Sequence, residues 1–272
     1  MKNETLINIA KALNKLPNIQ INPKLSDKDL YQTICDTMKT KFNCNNEACW
    51  LNIRKLMNNL SYKDSENFKN YFRPHMPSNI VDDYTKWISN YDIEAVLNQY
   101  HKEQPEVYSY GAVPIDFKNC SVSSDLCKIN IKNHMDNNET KLIVVFNTDD
   151  SKGPGQHWNS MYVDLLGKNY NSQPGIFFFD SFAAKPMPQV KELIETIKKQ
   201  GEIINKEFIV GVNDKRFQEN NFSCGFYCMH FLENMINNVP FKKYINSGLS
   251  DKKMIQYRNK CYLHPEEIKN IE

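Results

Sequence analysis

The sequence predicts an α+β fold, a mixed sheet flanked by helices and preceded by a helical N-terminal arm. Three observations carry this expectation. Apolar side chains recur at spacings of three and four over roughly the first eighty residues; from about residue 106 short continuous apolar runs replace that spacing; helical periodicity then returns between and after those runs. At 272 residues, 40% hydrophobic and 24% charged, the chain is long enough to bury a full core and has no low-complexity tract that argues for disorder.

In chain order, LINIAKALNKL, DLYQTICDTMKTKF and ACWLNIRKLMNNL read as amphipathic helices of the arm. FRPHMPSNI, with two prolines, interrupts them and sets the boundary, giving an arm over 1–80 and a main domain over 81–272. YDIEAVLNQYHKE is one more helix, entered from DDYTKWISN. KLIVVFNT is a strand of the buried type, HWNSMYVDL a strand of mixed character, and GIFFFDS an apolar strand ended by an acid. VKELIETIKKQ returns to helix, KEFIVGVN to strand, and CGFYCMHFLENMI is the last strong helix before a weaker helical tail. The chain shows no internal repeat and no glycine-rich phosphate loop.

A net charge of +2, with lysines scattered among acids, gives no argument for binding nucleic acid or a membrane surface. No run approaches the roughly 18 apolar residues of a spanning helix, and MKNETLINIAKALNKLPN lacks a secretory core, so the chain is expected to be intracellular. Its eight cysteines are accordingly expected as reduced thiols. Zinc held by Cys44 and Cys49, or by Cys120 and Cys127, is the sharper alternative, but no histidine pair lies nearby. Neither a metal nor a cofactor is expected.

The chemistry gathers around FSCGFYCM. Cys228, Phe231, Leu232, Met235 and Ile236 form an apolar stripe, and Cys224, one turn earlier, starts the same face. Ser223 is placed to cap the helix. Cys224 is thus expected at a helix N-terminus, where unpaired amides and the helix dipole favour a thiolate. Gly225 removes a side chain where a substrate would approach. Cys228 reads as a small core residue.

A nucleophile needs a base. His75, His101, His134, His230 and His264 lie in polar surroundings, in a charged stretch, or turned from the stripe; His157 follows the glycine loop DDSKGPGQ and opens HWNSMYVDL, which sets it at a sheet edge. A symmetrical hairpin through GKNYN brings Asp180 opposite His157, where an acid holds the imidazole's tautomer. Gln218, in KRFQENNFSCG, carries an amide able to stabilise an oxyanion together with the Cys224 backbone N–H.

The order HW, FFFDS, Q-x5-CG resembles the cysteine peptidases of the SUMO-protease and adenovirus-protease superfamily, and within it the polyprotein-processing proteases of African swine fever virus and related large DNA viruses. The likeness is strong from about residue 85 to 240. It implies a papain-like core in permuted order and a thiol endopeptidase with His157, Asp180, Gln218 and Cys224 as its catalytic set. It further implies that Trp87, in KWISNYDIEAVLNQY, and Trp158 enclose a narrow tunnel for a Gly-Gly or Ala-Gly pair. The substrate it implies is a viral structural polyprotein, cut at assembly sites in the host cytoplasm and in the virion. Deconjugation of SUMO or a ubiquitin-like protein, acetyl transfer by Cys224, and an inactive partner-binding relative are the competing readings.

Overall fold

The computed structural model describes residues 1, 3–123 and 125–268. The chain divides into two compact units, one of Met1–His75, Lys102–Gln104 and Leu263–Glu272, the other of Met76–His101 and Pro105–Tyr262.

In the first unit, α1 (Asn3–Leu13), α2 (Asp27–Phe42), α3 (Arg54–Met57) and α4 (Tyr62–Asn70) surround one apolar cluster that includes Leu6, Ile9, Leu30, Ile34, Trp50 and Phe68. The Asp29 amide donates to the Ser26 hydroxyl at the start of α2, and Asn43 ends that helix in the left-handed region at φ 55°, so the chain's own sequence bounds it at both ends. ACWLNIRKLMNNL, expected as one helix, is a 3-10 turn over Ala48–Asn52 followed by α3. A Cys44–Cys49 disulfide, with the Cys49 amide donating to Asn46 Oδ1 at 2.9 Å, imposes a tight turn on the spacing that reads as helical.

Cys120 and Cys127 are joined as well, so reduced thiols, expected throughout, remain at Cys35, Cys224, Cys228 and Cys261. The paired Cα atoms stand 5.6 and 5.4 Å apart, within the span of a disulfide. That proximity is a property of the folded chain, and composition does not report it.

The second unit runs α5 (Ser78–Asp82), α6 (Asn90–Glu103), β1 (Val107–Pro114), α7 (Ile131–Asp136), β2 (Lys141–Asn147), β3 (Trp158–Asp164), β4 (Gly175–Phe179), α8 (Pro188–Ile203), β5 (Ile209–Val212), α9 (Cys224–Ile236), α10 (Phe241–Tyr244) and α11 (Asp251–Cys261). The strands lie in the order β1-β2-β3-β4-β5, parallel in the outer pairs and antiparallel in the inner two, which is the mixed sheet the sequence predicts. β1 is the strand that its sequence hides. Gly111, at φ 77°, sits in a bulge between Ser109 and Ala112 and breaks the alternation of VYSYGAVP.

β3 is the central strand and is buried along its length. On one face of the sheet Tyr162, Phe177 and Phe179 pack with Phe231 and Leu232 of α9; on the other, Met161, Ile176 and Phe178 meet Val190, Leu193 and Ile197 of α8. Each fully buried aromatic or aliphatic side chain of this kind contributes about 1.5–3 kcal/mol. Together they fix the C-terminal end of β4 and the N-terminal ends of β3 and α9. Among the described residues no helix is long and apolar enough to cross a membrane.

Candidate active site

Cys224 is the first residue of α9 and is buried, as its sequence position implies. The expected cap is not made. Ser223 sits at the N-cap, but its hydroxyl accepts from Asn220 Nδ2 at 2.9 Å, while Asn220 Oδ1 accepts the amides of Phe222 and Ser223 at 3.0 Å. The Ser223 side chain therefore leaves the first-turn amides beside Cys224 available to a ligand.

Gly225 serves packing, not substrate approach. A Cβ on it would lie 2.7 Å from Ile88 Cδ1 and 3.5 Å from Ile93 Cδ1, so its bare backbone is what lets the segment after Trp87 close against α9. Cys228 is fully buried, and that burial first, then the neighbouring Cys224, raises its thiol well above the ordinary range. It is the inert thiol of the pair.

His157 continues the β3 ladder, its carbonyl accepting the Thr148 amide at 2.9 Å. It emerges from the end of the central strand, not from a sheet edge. The hairpin register differs from the symmetrical one expected: Ser160 pairs with Phe179 and Met161 with Phe178, which sets Phe182, not Asp180, across from His157. Just past β3, the Asp164 carboxylate accepts the amides of Leu166, Gly167 and Asn169 and shifts the centre of the turn toward Tyr170. Phe182 packs on the imidazole with ring centroids 5.0 Å apart, and the Arg216 guanidinium lies 4.9 Å over Phe182.

Asp180 nevertheless meets His157 diagonally, Oδ2 to Nε2 at 2.9 Å. The carboxylate is fully buried, and its other oxygen accepts the Phe182 amide at 2.8 Å. Asn213 fixes the backbone of the acid from both sides: its Oδ1 accepts the Asp180 amide at 2.9 Å and its Nδ2 donates to the Asp180 carbonyl at 2.7 Å. The Cys224 side chain lies near enough to the imidazole to raise its affinity for a proton. With Nε2 given to Asp180, Nδ1 is the ring nitrogen left to act on a second partner. Burial pulls the imidazole down, but the bonds to Asp180 and Cys224 and their charges outweigh it and push His157 up to about 9. A cation held there at neutral pH is the counter-charge a thiolate needs.

Gln218 is fully buried in the loop before α9. Its Oε1 accepts from the Ser181 hydroxyl at 2.6 Å, and its Nε2 donates to the Asn220 carbonyl at 2.9 Å and, at 3.5 Å, to Asn220 Oδ1. The Ser181 carbonyl accepts the amides of Phe217 and Gln218, so the residue after the acid holds the glutamine loop by backbone and side chain together. From the other side, Asp251 at the start of α11 accepts the amides of Glu219 and Asn220, and the Tyr227 hydroxyl on its other oxygen at 3.0 Å.

Trp87 and Trp158 line one cavity of about 640 Å³, with Ile88, Ala112, Asn147, Ser121 and Val122 among its other walls. Trp87 is 43% exposed at its rim and Trp158 only 7% exposed. Of the other histidines, His134 is held between the Tyr110 hydroxyl and Glu139, and His230, pulled down to about 4 by burial, bonds the Tyr244 hydroxyl.

The structure thus brings His157, Asp180, Cys224 and Gln218 into one region and the two tryptophans onto one cavity. Sequence reasoning missed Ser181, Asn213, Asn220 and Asp251. Ser181 had a signal, its place directly after the acid in FFFDS; the other three are polar loop or helix-start residues whose partners lie far along the chain.

The model of the Ulp1 protease family, C-terminal catalytic domain, matches residues 117–270. A protein of Acanthamoeba polyphaga mimivirus named for thiol protease activity is 27% identical over 276 residues, covering 94% of this chain and 86% of the relative. A cysteine protease of African swine fever virus is 22% identical over 239 residues, covering 82% of this chain and 85% of its own. The crystal structure of an African swine fever virus protease shares the fold with a TM-score of 0.61 at 19% identity, over 88% of this chain and 90% of that one.

Proposed function

The chain belongs to the Ulp1 protease family and is a cysteine-type peptidase acting on protein substrates, and from that premise we propose that it cleaves after small Gly-Gly or Ala-Gly pairs and processes viral structural polyproteins as virions mature. It does so at assembly sites in the host cytoplasm and in the virion. The observation that carries the catalytic assignment is the imidazole of His157 bonded to the buried Asp180 carboxylate at 2.9 Å, with Cys224 near enough to raise that imidazole's affinity for a proton.

Cys224 is the nucleophile. Its thiolate attacks the scissile carbonyl carbon, and the oxyanion that forms takes hydrogen bonds from the Cys224 N–H and from the Gln218 side-chain amide, which exchanges its long contact to Asn220 Oδ1 for the oxyanion. His157, protonated through Nδ1, gives its proton to the leaving amine as the C–N bond breaks and a thioester remains. It then takes a proton from the water that hydrolyses that thioester, and the sulfur leaves as a thiolate beside the restored imidazolium. Asp180 holds Nε2 and stabilises the imidazolium. Trp87 and Trp158 limit the residues before the scissile bond to small ones, since bulk beside two indoles on one cavity clashes or distorts the wall.

A second reading is deconjugation of a ubiquitin-like protein, favoured by relatives named SUMO-1 cysteine protease from African swine fever virus isolates. One experiment separates the two. Wild-type and Cys224→Ala protein are incubated with precursor polyproteins of large DNA viruses, with Gly-Gly-Xaa peptides and with a SUMO-aminomethylcoumarin reporter, and new N-termini are sequenced. Cys224-dependent cleavage after Gly-Gly in the precursors supports polyprotein processing; release from SUMO alone overturns it.

A further inference from the structure

CSVSSDLC, weighed in the sequence as a ligand pair, is a loop closed on itself by the Cys120–Cys127 disulfide. Two of its residues, Ser121 and Val122, line the same cavity as Trp87 and Trp158. Among the described residues the near half of this loop is held by short-range hydrogen bonds, and the Cys127 amide donates to the Ser123 carbonyl at 3.4 Å. Asn119 Oδ1 accepts the Ser121 amide at 3.1 Å and its hydroxyl at 2.8 Å, and the Asn119 carbonyl accepts the Val122 amide at 2.8 Å, so those bonds are local. Leu126, at the far end, is buried in the core beneath α8, and Asp125 accepts from the Tyr108 hydroxyl at 3.3 Å. The disulfide is thus the covalent tie between the anchored end of the loop and the end that forms the cavity wall. Cys120 and Ser121 are exposed, which opens the bond to a small reductant.

Resting on the reading of this cavity as the substrate site, we propose that the Cys120–Cys127 disulfide is a specificity-determining element of the enzyme. It holds Ser121 and Val122 as a preformed wall for the bound peptide, and opening it weakens peptide binding without touching the catalytic set. A phosphine reductant supplies two electrons to the S–S bond; each sulfur takes up a proton as a thiol, and the phosphine leaves as its oxide with an oxygen from water. The freed loop must then be ordered each time substrate binds, a cost that lowers affinity. The enzyme therefore has opposite redox needs at two places, a reduced sulfur at Cys224 and an oxidised pair at its cavity wall.

The test is peptide affinity in the Cys224→Ala protein, where reductant cannot act through the nucleophile. Binding of a fluorescent peptide containing Gly-Gly is followed by anisotropy before and after treatment with a phosphine, and iodoacetamide labelling reports which cysteines have opened. The expected result is a loss of affinity of about three- to tenfold on reduction, the scale of ordering one short loop. The same loss is expected in C120S/C127S on that background without reductant, and no further loss when reductant is added, although Cys44–Cys49 opens there too. Unchanged affinity after labelling shows Cys120 and Cys127 reduced overturns the proposal, as does labelling of both cysteines before any reductant is added. Trp87→Ala on the same background tests the underlying reading separately. If it leaves affinity unchanged, the cavity is not the substrate site; if it weakens binding while the opened loop does not, only the role of the disulfide is lost.

Discussion

The Ser181 hydroxyl donates to Gln218 Oε1 across 2.6 Å in a fully buried setting, tying the end of the strand that carries Asp180 to the loop that carries the proposed oxyanion amide. The acid and the amide are therefore positioned by one short segment. Gln218→Ala removes a donor to the developing charge and is expected to lower kcat about a hundredfold. Ser181→Ala keeps that donor but frees its orientation, and a loss of about tenfold in kcat with little change in KM is expected, the worth of one buried hydrogen bond. Steady-state kinetics on a Gly-Gly-Xaa peptide measure both, and a Ser181→Ala enzyme at the wild-type kcat removes this role for the contact.

The raised His157 sets the alkaline edge of activity. Below about 9 the imidazole carries its proton; above it the proton is lost and with it the acid for the leaving amine. The pH profile of kcat/KM is expected to fall through that value. Asp180→Asn removes a bond that holds the proton, so its alkaline edge moves to lower pH. A mutant whose edge stays in place argues that Asp180 does not set it.

The same shift makes a stability statement. His157 binds its proton more tightly folded than unfolded, so its contribution is fully present below 6.5 and is lost as pH rises to about 9. Denaturant titrations at the two ends of that window are expected to show a decline in wild type that is reduced in His157→Asn. An equal decline in both proteins places its origin elsewhere.

At Gly225 a methyl group has nowhere to go. Ile88 Cδ1 and Cγ1 lie 2.7 and 2.9 Å from the position of a Cβ, and Ile93 stands behind them. Gly225→Ala is expected to cost about 1–3 kcal/mol, as overpacking does, and to raise KM by displacing the segment that carries Trp87. Adding Ile88→Ala should recover part of KM. Were Gly225→Ala as stable and active as wild type by thermal melt and kinetics, close packing here would not constrain the site.

The two tryptophans should separate by burial. Trp158 is 7% exposed, and Trp158→Ala is expected to lose about 3–5 kcal/mol along with activity. Trp87, at 43% exposed, should leave stability within about 1 kcal/mol when changed to Ala, because much of its ring is already in water. Its loss should appear in KM and in tolerance of larger residues before the scissile bond, and peptide libraries read both.

The site was more legible in the sequence than the fold that presents it. Cys224 was readable because a helix start and an apolar stripe are local patterns, and the His157–Asp180 pair because two strands close in sequence must form a hairpin. The register was not, since the capture of three amides by Asp164 depends on loop geometry and not on residue order. Ser223 has the composition of a cap, yet Asn220 competes for its hydroxyl. The cysteine pairs were misread for a similar reason, because a disulfide needs close Cα atoms and the sequence shows only spacing. β1 escaped notice through the bulge at Gly111.

The hold of Asp251 on the Gln218 loop makes the order of that loop depend on a later part of the chain. Every proposed catalytic side chain has been translated by Cys224, but the carboxylate that takes the amides of Glu219 and Asn220 is added 27 residues later. A chain cut between Cys224 and Asp251 would therefore keep every proposed catalytic side chain and lose the carboxylate that holds the Gln218 loop from this side.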